Sequence, residues 1–155
     1  MSGLLNSLLN KLTARPDMKV ESGDCRMALT VMLVRIARAD REYTKSERER
    51  ILAILKSRYD LDDCAAEGVL VEAEATEAEA LDIVQFTRVL KDRVPYDERE
   101  EVLAAFWRVV LDDDYRDDEE DRLLRLAAKL LGVSDRDSGL IRRKVMQEIA
   151  RSRQT

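Results

Sequence analysis

The chain has 155 residues, of which 27 are Lys or Arg, 32 are Asp or Glu and none is His, for a formal net charge of −5. This balance argues against nucleic acid as a partner, because phosphate binding needs a basic footprint; two cysteines without histidine are too few ligands for a zinc site. Only 5 Gly, 2 Pro and 5% aromatic residues stand beside 38% charged residues, a composition that favours helices and starves strands and turns.

In chain order, Leu4, Leu5, Leu8, Leu9 and Leu12 share one face of a short amphipathic helix within residues 1–15. That helix docks on the main body or meets a partner or a membrane surface. Asn6 and Asn10 interrupt the stretch and Lys11 follows it, which is not a signal-peptide pattern. Breaks at Pro16-Asp17 and Ser22-Gly23 separate it from a helical domain over 24–152. Residues 24–39 form a strongly apolar helix around Met27, Leu29, Val31, Met32, Val34 and Ile36, buried on most sides. The stretch from Met27 to Val34 is far too short to span a bilayer. After a loop at 40–43, Thr44 to Glu47 opens a helix with Ile51, Leu52, Ile54 and Leu55 on its core face.

A helix from Asp63 to Ala75 follows. Thr76 to Glu79 then starts another, carrying Leu81, Ile83, Val84, Phe86, Val89 and Leu90. Pro95 suits the first turn of the next, which runs through Val102, Leu103, Phe106, Trp107, Val109 and Val110. Asp117 to Glu120 opens a helix to Leu130, with Gly132 as its C′ residue. Ser134 to Asp137 opens the last, to Arg151. The basic run Arg142-Arg143-Lys144, with Arg151 and Arg153, is read as charge complementing the C-terminal end of that helix's dipole. Cys25 and Cys64 read as small buried hydrophobes in a reducing compartment. The expectation is an all-α protein, a compact bundle of seven to eight helices with short connections, in the cytoplasm.

The bundle carries an internal helix-loop-helix duplication. Shifting the first half by 73 residues places Arg35 on Arg108, Ile36 on Val109, Asp40 on Asp113, Glu47 on Glu120 and Ile51 on Leu124. Each Asp is followed seven residues later by the Glu, where one apolar helix ends and the next begins. Glu47 and Glu120 have an ordinary role available: Thr44-x-x-Glu47 is a capping box and Asp117-x-x-Glu120 has its spacing. Asp40 and Asp113 follow apolar helices, where the dipole is negative and an anion is unfavourable by about 0.3–1 kcal/mol. They need an Asx turn, the N–H groups of the next helix, Arg35, Arg38 or Arg41, or a cation. Eight of the ten residues from Asp112 to Asp121 are acidic, which fits a well-solvated face for many of them or a bound cation; oxygen-only ligands of this kind select hard ions such as Ca²⁺, Mg²⁺ or Mn²⁺. An EF-hand is excluded: counting from Asp112, the sixth place is Asp117 and the twelfth Leu123; counting from Asp40 they are Lys45 and Ile51.

At these residues the chain resembles the TerB-like family, named for tellurite resistance, in its uncharacterised bacterial branch. The family pattern is Ala-Asp-Gly, five variable residues and Glu at a helix-loop-helix. Here it reads Ala39-Asp40-Arg41 to Glu47, and Asp112-Asp113-Asp114 to Glu120 running on to Leu130-Leu131-Gly132-Val133. Tyr96-Asp97-Glu98-Arg99-Glu100 through Phe106-Trp107-Arg108-Val109 is also similar. The resemblance covers roughly residues 24–150 and implies an all-helical duplicated fold with an acidic metal site at Asp40, Glu47, Asp113 and Glu120. Arg41 and Asp114 stand where the pattern has Gly.

The expected function is that of a non-catalytic TerB-like domain binding a divalent cation (Ca, Mg or Mn), linked to tellurite or stress response. The alternative is a metal-free adaptor for an unidentified protein partner, its acidic residues serving as helix caps. With no histidine, no paired-cysteine motif and no Gly-rich phosphate loop, the chain does not read as an enzyme; a carboxylate di-metal hydrolase is the one catalytic version retained. No nucleic acid partner and no integral membrane segment are expected.

Overall fold

The computed structural model describes residues 23–39, 42–111 and 118–154, which contain seven helices and no strand. In chain order they are α1 (Gly23–Ala37), α2 (Lys45–Tyr59), α3 (Asp63–Glu79), α4 (Val84–Arg93), α5 (Tyr96–Leu111), α6 (Asp118–Leu130) and α7 (Asp135–Gln154). The amphipathic helix expected within residues 1–15 lies outside the described residues. Among the described residues no helix is long and apolar enough to cross a membrane.

Local chemistry sets most boundaries. The Asp62 carboxylate accepts from Ala65 N at 2.7 Å and caps α3. The Pro95 carbonyl accepts from Arg99 N at 3.1 Å, so the proline sits just ahead of α5, where its missing N–H costs nothing. Gly132 closes α6 with φ +77, a left-handed conformation in which a Cβ is strained, while Val133 N donates to the Ala128 carbonyl.

The junction expected at residues 72–79 is absent. α3 runs unbroken to Glu79, and the Thr76 hydroxyl donates back to the Glu72 carbonyl at 2.9 Å instead of capping a new helix. A threonine inside a helix makes that i−4 bond readily, so the cap signal misleads there. α4 therefore begins only at Val84, and Leu81 is left in the turn, 95% exposed, rather than on a core face. Cys25 is buried as expected, whereas Cys64, in the first turn of α3, is exposed.

α1 sits at the centre, packed on α2, α3, α4, α5 and α6. It can do so because it is apolar all round: Leu29, Val31, Met32, Leu33, Val34 and Ile36 are all at most 1% exposed. Its buried Thr30 is satisfied by donating to the Arg26 carbonyl at 2.7 Å.

The duplication is larger than two helices. α3 and α7 begin 72 residues apart. Every buried position from Leu29 to Ala37 has a buried counterpart from Val102 to Val110, and Arg35 and Arg108 are the half-buried residues of the two stretches. Exchanging α1 with α5, α2 with α6 and α3 with α7 leaves the set of helix contacts among these six unchanged, the pattern of two halves related by a pseudo-twofold. α4 is the inserted element, packed on α1, α5 and α6.

Candidate functional site

The first helix-loop-helix is built around a capping box. The Thr44 hydroxyl accepts from Glu47 N at 3.1 Å, and the Glu47 carboxylate accepts from Thr44 N at 3.0 Å and from the Thr44 hydroxyl at 2.9 Å. Glu47 is 1% exposed, so it is a buried carboxylate as well as a cap. Thr44→Ala removes one side of the box and is expected to cost about 1 kcal/mol, read as a lower urea midpoint at unchanged slope.

Of the other candidates, Asp40 and Asp113 lie outside the described residues. Glu120 lies in the first turn of α6, the counterpart of Glu47 in α2, with its side chain outside the described atoms. Among the described residues no group of three or more Cys, Asp or Glu is placed to hold a metal.

The helices that flank the two loops meet at their described ends. Arg50, three residues after Glu47, donates from Nη1 to the Val109 carbonyl in the last turn of α5 at 2.6 Å. Arg35, Arg38 and Ala39 at the end of α1 line a cleft of about 450 Å³ together with Arg122, Leu123 and Leu126 near the start of α6. The end of each long apolar helix thus meets the start of the other repeat's second helix. The described ends of α1 and α5 and starts of α2 and α6 therefore lie at one end of the bundle.

A polar network that the sequence reading did not assemble braces this end. Glu77, 6% exposed on the last turn of α3, pairs with Arg35 at 3.1 Å and with Arg38. Arg35 also donates to the Ala80 and Leu81 carbonyls at 3.4 and 3.3 Å, and Arg38 to the Glu74 carbonyl at 3.4 Å. On α2, Arg48 bridges Glu74, at 3.1 Å, and Glu67. The acidic face of α3 therefore holds the end of α1 and the start of α2 together across the loop. Arg35 and Arg38, two of the countercharges available to Asp40, are both engaged by Glu77.

The second repeat keeps one strut: Arg108 of α5 pairs with Glu148 of α7 at 3.2 Å, but both are partly exposed. Leu111 and Asp121 occupy the positions of Arg38 and Arg48, so the rest of the network has no counterpart. The signal available in the sequence was the recurrence of Arg35 as Arg108 inside apolar helices. Glu77, read as a helix start, gave none.

Tyr43 closes the network. The Arg38 guanidinium lies 5.2 Å from its ring centroid, and its buried hydroxyl makes no hydrogen bond of good geometry. Burial, then the nearby Glu74 carboxylate, hold the phenol well above its ordinary value. A folded-state pKa above the unfolded one gives stability that is present below about pH 10 and lost as the pH rises beyond it. Tyr43→Phe is expected to leave stability near pH 7 unchanged or slightly higher and to flatten its fall above about pH 10; an identical alkaline slope in both proteins contradicts this.

A family model described as "Tellurite resistance protein TerB" matches residues 26–143. No curated protein and no solved structure matches the chain.

Proposed function

Since the chain belongs to the TerB family of tellurite-resistance proteins, we propose that it is a non-catalytic module whose acidic loops, Asp40 with Glu47 and Asp113 with Glu120, bind a divalent cation such as Ca²⁺, Mg²⁺ or Mn²⁺ in a response to tellurite or related stress. The observation that carries this reading is the meeting of the helix ends that flank the two loops: Arg50 reaches the Val109 carbonyl, and the end of α1 shares a cleft with α6. The described helix ends on either side of both loops meet there, which supports a cation shared by ligands from both repeats. The C-terminal ends of α1 and α5 add the negative ends of two helix dipoles, which favour a cation. The Glu47 cap is compatible with ligation, because a carboxylate offers about four acceptor sites.

Ligand binding to the folded state alone raises stability by about 2.7 kcal/mol at a hundred times Kd. Millimolar Ca²⁺, Mg²⁺ or Mn²⁺ is therefore expected to raise the melting temperature by several degrees. No shift with any of the three counts against the proposal.

The intact capping box keeps the adaptor reading in view, in which the carboxylates only start helices and the protein recruits a protein partner without metal. Under that reading Glu47→Gln lowers stability by the same amount with and without the ions.

A further inference from the structure

The basic run on α7 has no explanation in the helix dipole, because the helix continues to Gln154. The dipole acts within the last turn, which accounts for Arg151 and Arg153 but not for Arg143 and Lys144 in mid-helix, nor for Arg136 in the first turn. Arg142 has its own place, with its guanidinium 5.8 Å from the Trp107 ring centroid.

At 3.6 residues per turn, Arg136, Leu140, Arg143, Lys144, Gln147 and Arg151 fall in one sector of roughly 100°, about 22 Å long. All six are exposed. The acidic residues of α7 (Asp135, Asp137 and Glu148) project outside that sector, and Glu148 is engaged by Arg108. Among the described residues no ion pair engages the four cations of the stripe. Leu140, in the middle of the stripe, is 45% exposed, and Met146 at its flank is 47% exposed.

We propose that this face of α7 docks on the surface of an anionic lipid bilayer. Four cations in a straight row, three of them beyond the reach of the C-terminal dipole and none in an ion pair among the described residues, in a protein of net charge −5, call for an anionic surface that can be met side-on. Exposed Leu140 and Met146 gain from the headgroup boundary, while the long basic side chains reach phosphate beside them. Nucleic acid fits less well: the stripe has no aromatic residue on which a base could stack, and exposed Leu140 and Met146 gain nothing from a phosphate backbone.

The test is co-sedimentation of the full chain with phosphatidylcholine vesicles containing about 30% phosphatidylglycerol, against phosphatidylcholine alone. Binding is expected only to the anionic vesicles and to fall as salt rises. A basic residue near the surface contributes about fivefold in affinity, so reversal of two, Arg143→Glu with Lys144→Glu, is expected to weaken binding at least 25-fold. The control Arg88→Glu with Lys91→Glu on α4 makes the same change in net charge and is expected to weaken it less than about threefold. Should the α7 reversal fail to fold, Arg143→Gln with Lys144→Gln takes its place. No sedimentation with anionic vesicles at low salt, or equal loss in both pairs of variants, overturns the proposal. So does binding of a DNA duplex without binding of vesicles.

Discussion

Phe106→Ala is expected to lower the free energy of unfolding by about 3–5 kcal/mol. Phe106 is fully buried on α5, which packs on α1, α2, α4, α6 and α7, so the missing ring leaves a cavity walled by several elements. Helices fixed on several sides collapse little into such a space, and the cost stays near the upper end of a large-to-small change. Its pseudo-twofold counterpart is Leu33, also fully buried, on α1. Leu33→Ala is expected to cost about 2–5 kcal/mol for the same reason. Urea unfolding at constant slope measures both. A loss below about 1 kcal/mol for Phe106→Ala would mean that α5 is not the second core helix that the exchange of halves makes it.

Glu77→Ala is the second large effect, of electrostatic origin. Removing one partner from a buried ion pair costs about 3–5 kcal/mol, because the remaining charge keeps its desolvation penalty without compensation. Here the Glu77 side chain is 7% exposed, but Arg35 and Arg38 are 29% and 34% exposed and recover part of their hydration. About 2–3 kcal/mol is the expected loss, with Glu77→Gln near half of it. The matching strut in the second half gives the control. Arg108 and Glu148 are 36% and 55% exposed, so Glu148→Ala is expected to cost under about 1 kcal/mol. Equal losses at Glu77 and Glu148 would show that burial does not distinguish the two struts.

These predictions rest on features that differ in how plainly the chain announces them. The helical fold and the duplication were legible because both are periodic. An apolar run with no polar face can only be a central helix, and the 73-residue shift that pairs Asp40 with Asp113 also pairs the buried positions of α1 with those of α5. The Thr44 box was legible because a cap is a local device. Residues 72–79 were misread because that same local device is ambiguous: Thr76 three residues before Glu79 has cap spacing, yet the Thr76 hydroxyl serves the helix it already occupies. Of the bracing network, only the recurrence of Arg35 as Arg108 was legible. Glu77 meets Arg35 and Arg38 across 42 and 39 residues, and no local pattern marks such partners. For the candidate site, Glu47 lies where its motif predicted. The meeting of the helix ends that flank the two loops came from Arg50 and the cleft beside Ala39, neither of which stands out in the sequence.

The central claim, that the two loops bind a cation together, is tested most directly by titration calorimetry. The full chain is titrated with Ca²⁺, Mg²⁺ and Mn²⁺, beside a variant carrying Asp40→Asn and Asp113→Asn. The account predicts a saturable isotherm with at least one ion in the unaltered protein, and its loss in the variant at retained helical content. Absence of heat at millimolar metal, or the same isotherm in both proteins, contradicts it.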